Sequence, residues 1–388
     1  MPDNPVDTPA RVQVDPSTAH STLTRIEWTG LTVEHNLADG HARQGTPPAT
    51  EELVDRLPAL YREVEKRKQL EVQTDFERTF FRAAGQPSVL DRAEGPLHHY
   101  SSSLSIEVVA NHLRLEGLRV GLLNPTFDNI PDILNRHGVP LVPVGERILE
   151  QPEDPEHWGD FDALFLVTPN NPTGFDPAPE MLERIALECR RREVLLIVDF
   201  SFRFFSEGLN SRDGYAFFLE HDVDHIGIED VGKVWPMLDL KVGSLIAGPR
   251  RHAALQAITD DLLLNVSPFV FALLAESGRA DVVGHARDTS VRNRSALVKA
   301  LAGGPLSVVD GGPTMSVAWI RLPEGWDGVE LCGWLGERGV GVLPGSPFYW
   351  ADPDQGSGFV RVALMRPVDS FEASATALAR TVADYEPR

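Results

Sequence analysis

What most limits the fold of this chain is a series of six short apolar segments between residues 118 and 248. They read "LRVGLLNP" (118–125), "VPLVPVG" (139–145), "ALFLVTP" (163–169), "VLLIVDFSF" (194–202), "HIGIED" (225–230) and "VGSLIAG" (242–248). Each apolar stretch is short and is followed by a turn or a polar residue, as in buried strands. Amphipathic helical patterns such as "DILNRHG" (132–138) and "EMLERIALECRRR" (180–192) lie between several of them. A strand that is apolar along its whole length has no face to give to water. Alternation with helices therefore specifies a mostly parallel central sheet covered by helices on both faces. Ligands of such sheets gather outside the carboxyl ends of the strands.

The flanks divide the rest of the chain. Residues 1–20 are rich in Pro, Asp and Thr and read as a disordered arm. Residues 21–47 read as a helix opened by "STLTRIEW", capped by Ser21 or Thr22, and a loop, "NLADGHARQGTPP", broken at Gly40 and Pro47. Helical spacing resumes over 49–85 and ends at Gly85, so 48–265 reads as one large α/β unit. From 266 to 388 a long helical stretch precedes "MSVAWIRL", "GVGVLPG" and "FVRVAL" and a closing helix, which reads as a smaller α+β domain.

Composition removes several classes of function. With 57 acidic against 36 basic residues the net charge is -21, which disfavours nucleic acid and anionic membranes as partners. The two cysteines, Cys189 and Cys332, form no CxxC or Cys/His cluster, so no disulfide framework and no metal site is expected. The N-terminal residues lack the apolar core of a signal peptide, and no apolar window is long enough to span a bilayer. A cytoplasmic enzyme is the expectation.

The strand ends carry the chemistry. "VTPNNPTG" (167–174) closes one strand with two asparagines. "IVDFSF" (197–202) closes the next with a lone acid, Asp199, and "IEDVGK" (228–233) closes a third with Lys233. "LLNPTFDN" (122–129) brings Phe127 to a fourth. Upstream, "HYSSSLSIEVVA" (99–110) sets Ser101, Ser102 and Ser103 before a helical pattern. Helix capping and phosphate binding there use the same N–H groups and hydroxyls. A lysine amine, a carboxylate, an aromatic ring and a phosphate loop are what pyridoxal 5'-phosphate requires of a protein: the amine for a Schiff base, the carboxylate for the pyridine nitrogen.

In this order, these motifs resemble the fold-type I aminotransferase superfamily over nearly the whole chain. The resemblance implies a pyridoxal phosphate site with Lys233 as the Schiff-base lysine, Asp199 on the pyridine nitrogen and Asn171 on the ring hydroxyl. It implies Phe127 stacked on the ring, and Ser101, Ser102 and Ser103 with Lys241 on the phosphate. Arg361, in "GFVRVAL", matches the arginine that clamps the substrate carboxylate. Two positions depart from the pattern. Phe202 stands where Tyr is usual, and Asp230 stands three residues before Lys233 in place of Ser or Thr. A carboxylate beside a phosphate is repulsive unless a cation intervenes, so Asp230 argues for a basic substrate.

With the N-terminal blocks "TRIEWTGLTVEHNLADGHARQ" and "EDVGKVWPMLDLK", the chain resembles a narrower group: pyridoxal phosphate-dependent L-arginine oxidases and hydroxylases that use O2 in antibiotic biosynthesis. This likeness implies a helix closing over the substrate, with Thr24, Glu27 and Asp230 around the guanidinium and His41 near the oxidised side chain. It also implies a homodimer. Asp128, Glu107 and Asp239 read as structural. Two rivals remain open: an ordinary aminotransferase of a basic or aromatic amino acid, and a cofactor-binding protein without catalysis.

Overall fold

The computed structural model describes residues 23–45, 47–206, 208–279, 281–309 and 311–387. The arm at 1–20 and the proposed caps Ser21 and Thr22 lie outside the described residues.

All six expected strands form, as Val120–Leu123, Leu141–Val144, Ala163–Val167, Leu195–Asp199, His225–Asp230 and Gly243–Ala247. A seventh, Leu97–His99, joins them; at three residues it is too short to leave a periodic signal. Across the sheet the order is 97–99, 243–247, 225–230, 195–199, 163–167, 120–123, 141–144. Gly243–Ala247 runs antiparallel to both neighbours, and the other pairs are parallel. Alternate residues feed two cores. Leu164, Leu166, Leu196 and Val198 face one, while Phe165, Val167, Leu195 and Ile197 face the other. Each such side chain contributes ~1.5–3 kcal/mol by leaving water, which is why these strands tolerate polar residues only at their ends.

The helical stretch before the sheet is two helices, Pro48–Val64 and Gln69–Ala83, where the spacing suggests one. They are separated by an exposed turn, "EKRK" (65–68), which has no Gly or Pro to announce it. Gly85 ends the second helix with φ +68°, and a Cβ there would meet the Asn210 carbonyl at 2.0 Å. The helix Pro268–Gly278 belongs with these two rather than with the smaller domain. Its Phe271 packs on Phe76 at 5.2 Å between ring centroids, inside the large core. This helix therefore packs with the large unit, although it lies beyond residue 265. The cause is a helix apolar nearly all round, which only a deep core can bury.

The smaller unit holds a four-stranded antiparallel sheet in the order Leu343–Pro344, Phe359–Ala363, Val317–Arg321, Ser307–Val308. The helices Val282–Leu301 and Val368–Ala383 cover it. The N-terminal segment is hooked onto this unit, because His35–Asn36 pairs in parallel with Val340–Gly341. Among the described residues no helix is long and apolar enough to cross a membrane.

Candidate active site

Three neighbouring parallel strands end beside one another. Val167 pairs with Asp199, and Asp199 with Ile228, two residues before Asp230. Beyond these ends lies a cavity of about 240 Å3. Every side chain singled out from the sequence lines it: Lys233, Asp199, Asn171, Phe127, Ser101, Ser102, Ser103 and Lys241 toward the sheet, with Arg361, Glu27, Asp230, Thr24 and His41 completing the wall.

Asp199 is buried at its strand end. Its Oδ1 accepts from the Ser201 N–H at 2.8 Å and from the Ser201 hydroxyl at 2.6 Å. Oδ2 has no hydrogen-bond partner among the described residues. Burial pushes the carboxyl up to about 6 against the two Ser201 bonds, with Asp230 and Glu229 adding to the rise. A cationic N–H in the cavity would reverse that shift. Ser201 was not singled out from the sequence, although its spacing of two from Asp199 is that of a local side-chain turn.

The two asparagines divide their work. Asn170 holds the turn together, donating to the Pro125 carbonyl at 3.0 Å and to Glu146 at 2.7 Å. Asn171 faces the cavity, and its Oδ1 accepts from Arg361 Nη1 at 3.3 Å. Lys233 follows the strand His225–Asp230 in a turn, with its Nζ 5.7 Å from the centroid of the Phe202 ring. Burial pulls its amine below the usual lysine range, Glu27 and Asp230 opposing and Lys241 and Arg361 assisting. A lysine so placed releases its proton more readily than one in water.

The serines open the helix Ser102–Glu116, where Ser101 caps by accepting from the Leu104 N–H at 3.2 Å. Gly243 is needed here, since a Cβ would lie 2.4 Å from the Ser101 carbonyl carbon. The Ser102 N–H already donates to a carboxylate, Asp230 Oδ2, at 2.9 Å, and the Gly232 N–H donates to its Oδ1. An anion thus stands at this helix start. Ser103 is held by Asn129 Nδ2 at 3.1 Å, a contact the sequence did not reveal. The donor set fits pyridoxal 5'-phosphate: a lysine amine, a buried acid with one oxygen free, an aromatic ring in Phe127 and a helix N-terminus suited to anions.

On the opposite wall the helix Leu23–Gly30 brings Thr24 and Glu27 to the cavity. Glu27 Oε1 accepts from Arg361 Nη2 at 3.1 Å and from the Gly40 N–H at 3.4 Å. His41 stands between Asp39 and Lys241. Its Nδ1 bonds Asp39 Oδ1, and Lys241 Nζ lies 3.4 Å from its Nε2. The charged lysine can only donate, so Nε2 is the acceptor and Nδ1 carries the hydrogen. Burial alone would raise the Asp39 carboxyl, but His41, Arg43 and Arg366 outweigh it and hold it well below the usual range. The sequence does not single out Asp39, because His41 and Arg43 follow it in a loop without periodic pattern and Arg366 joins them only in the fold.

The residues read as structural are all engaged. Glu107 pairs with Arg136 at 2.5 Å and His137 at 2.6 Å, and Asp239 with Arg43 at 3.2 Å. Asp128 accepts from the Leu23 N–H at the start of the covering helix.

A family model of class I and II aminotransferases matches residues 100–373. Among curated proteins the chain is 29% identical over 194 residues to aromatic aminotransferase ISS1 of Arabidopsis thaliana, covering 46% of each. It is 22% identical over 237 residues to LL-diaminopimelate aminotransferase of Maridesulfovibrio salexigens, covering 58% of each. The chain thus spans about half the length of the curated relatives it matches. Among solved structures it superposes on MppP soaked with the product 2-ketoarginine, with TM-score 0.83 and 35% identity, covering 89% of this chain and 98% of that one. Aspartate aminotransferase of Thermus thermophilus with maleate gives TM-score 0.73 at 20% identity, covering 94% and 97%, a likeness of fold.

Proposed function

The chain belongs to the class I and II aminotransferase family, which uses pyridoxal 5'-phosphate, and from that membership we propose that it oxidises L-arginine with O2. The products are 4-hydroxy-2-oxoarginine and 2-oxoarginine, with ammonia and hydrogen peroxide. Removing the amine as ammonia takes two electrons, accepted by one O2. Hydroxylation at Cγ takes two more, accepted by a second O2. What supports the reading is the likeness to MppP over 89% of this chain, joined to a cavity lined by two carboxylates, Glu27 and Asp230, suited to a guanidinium.

Lys233 would hold the cofactor, with Asp199 facing its pyridine nitrogen, Asn171 its ring hydroxyl and Phe127 its ring. Ser101, Ser102, Ser103 and Lys241 would hold its phosphate. When bound, the cofactor supplies an electron sink for the substrate Cα. Arg361 binds the substrate carboxylate through its fork of N–H donors. Glu27 and Asp230 take the guanidinium, and Thr24 lies beside them on the covering helix. The Lys233 amine, its pKa lowered by burial, removes the Cα proton. The free oxygen of Asp199 holds a proton at the pyridine nitrogen. Asp39 orients the His41 ring, and with Lys241 turned to the phosphate Nε2 is free to accept a proton from the water that adds at Cγ. The active holoenzyme is a homodimer in this reading, which light scattering would check.

Mass spectrometry after aerobic incubation with L-arginine alone tests the proposal. 4-Hydroxy-2-oxoarginine and 2-oxoarginine are expected. The rival reading, amino transfer from a basic or aromatic amino acid, draws on the relatives' names. It predicts product only when 2-oxoglutarate or pyruvate is added.

A further inference from the structure

The carboxylate site of this protein carries a carboxylate of its own. Arg361 is 1% exposed in the cavity wall, and its guanidinium pairs with one acidic side chain among the described residues, Glu27, at 3.1 Å. Its other bonds go to uncharged oxygens, Asn171 Oδ1 through Nη1 and the Ala38 carbonyl through Nη2, while Nε has no hydrogen-bond partner among the described residues. Glu27 thus stands on Arg361 as the α-carboxylate of an amino acid would. It also acts on the Lys233 amine, as the strongest of the charges that raise its pKa. Glu27, Arg361 and Lys233 line the same cavity, so this carboxylate takes up guanidinium donors that a substrate carboxylate there would need. It is carried on the short helix Leu23–Gly30, with Thr24 one turn away on the same face.

We propose that Glu27 is the built-in occupant of the Arg361 site: an incoming α-carboxylate displaces it, and a positive charge at the far end of the substrate then recaptures it. A substrate with a neutral side chain breaks the Glu27–Arg361 pair and leaves a half-buried carboxylate unpaired, which is costly. A substrate with a cationic side chain restores the pair in exchanged form. Selection for positive charge thus lies in the competition for Arg361 as well as in direct contact with the guanidinium. The recapture step rests on the arginine reading above; the occupation of Arg361 does not.

Two carboxylates without an α-amino group separate these parts, because neither can react. They are pentanoate and 5-guanidinopentanoate, titrated calorimetrically into holoenzyme of the wild type, Glu27→Gln and Glu27→Ala. The wild type is expected to bind 5-guanidinopentanoate more tightly than pentanoate. Both variants should bind pentanoate about tenfold more tightly than the wild type, a ~1.4 kcal/mol gain, and 5-guanidinopentanoate more weakly. Pentanoate binding that is unchanged or weakened in both variants overturns the proposal and leaves the arginine reading standing. Tighter pentanoate binding in the variants, with no wild-type preference for the guanidino compound, keeps the occupation of Arg361 and overturns recapture together with the arginine reading.

Discussion

The two walls of the cavity are built in different ways. The wall of Asn171, Asp199 and Lys233 stands on strand ends whose preceding residues are all buried in a continuous sheet. The wall of Thr24, Glu27 and His41 is one short helix and a loop. That loop is fastened at its base, where the Leu37 N–H donates to the Gly341 carbonyl at 2.8 Å and its carbonyl accepts from Ala363 at 2.7 Å. Arg366 adds bonds to the Asn36 and Asp39 carbonyls at 2.9 and 2.7 Å. Beyond that base the helix packs Leu23 and Ile26 into a small apolar cluster with Trp319, Leu343 and Phe348, and adds two polar contacts, Glu27 with Arg361 and the Leu23 N–H with Asp128. A wall mounted on the large core suits the cofactor, which stays. A wall with a small core and one exchangeable ion pair suits a substrate that enters and leaves.

Substitutions on the first wall are expected to act on the chemistry. In the proposed mechanism Lys233→Ala removes both the amine that would hold the cofactor and the base; oxygen uptake with L-arginine should vanish, and dialysis should strip the cofactor, read by its absorbance. Asp199→Asn should cost about 10²–10⁴ in turnover while thermal unfolding changes little, because Asn can still accept the two Ser201 bonds; turnover within twofold of wild type would remove Asp199 from the mechanism.

Substitutions on the second wall should act on outcome and closure. Asp39→Ala frees the His41 ring, and the ratio of hydroxylated product to 2-oxoarginine should fall by about tenfold, part of the ~10²–10⁴ that a positioned base contributes. Cofactor absorbance should not change. The smallest effect concerns Asp128, whose burial, with Asp132 and Glu27 adding, pushes its carboxyl up to about 7 against the Leu23 N–H and Arg361. In the unfolded chain it titrates near 4, roughly as a free carboxylate. A folded pKa above the unfolded one contributes stability that is complete below about 4 and is lost as pH rises through about 7. The wild type should therefore melt a few degrees lower at pH 8 than Asp128→Asn does, and the gap should narrow at pH 5 and close near pH 4, as followed by circular dichroism.

The same contrast decides what the sequence reveals. The strand ends are legible because a buried strand announces itself, and a lone Asp199 at the end of an apolar run has few structural excuses. Asn171, Asp199 and Lys233 lie at or just beyond the ends of successive parallel strands, so their order in the chain becomes their order in space. Asp39, Ser201 and Asn129 are not legible in that way, since each acts through a partner on another element or a local turn. The break at 65–68 and the placement of Pro268–Gly278 escape for a related reason. Exposed charged turns carry no Gly or Pro, and an apolar helix does not say which core receives it. Asp230 was read from its chemistry as a guanidinium partner, and in the structure it accepts from the Ser102 and Gly232 N–H groups. It therefore borders the phosphate loop as well as the substrate space.

The central claim is that O2, not a keto acid, receives the electrons of L-arginine at this site. Oxygen consumption and ammonia release, recorded together with L-arginine and no keto acid, test it most directly. The account predicts uptake of O2 with more than one O2 consumed per ammonia once peroxide is accounted for. No uptake, with amino transfer on adding 2-oxoglutarate, would contradict it.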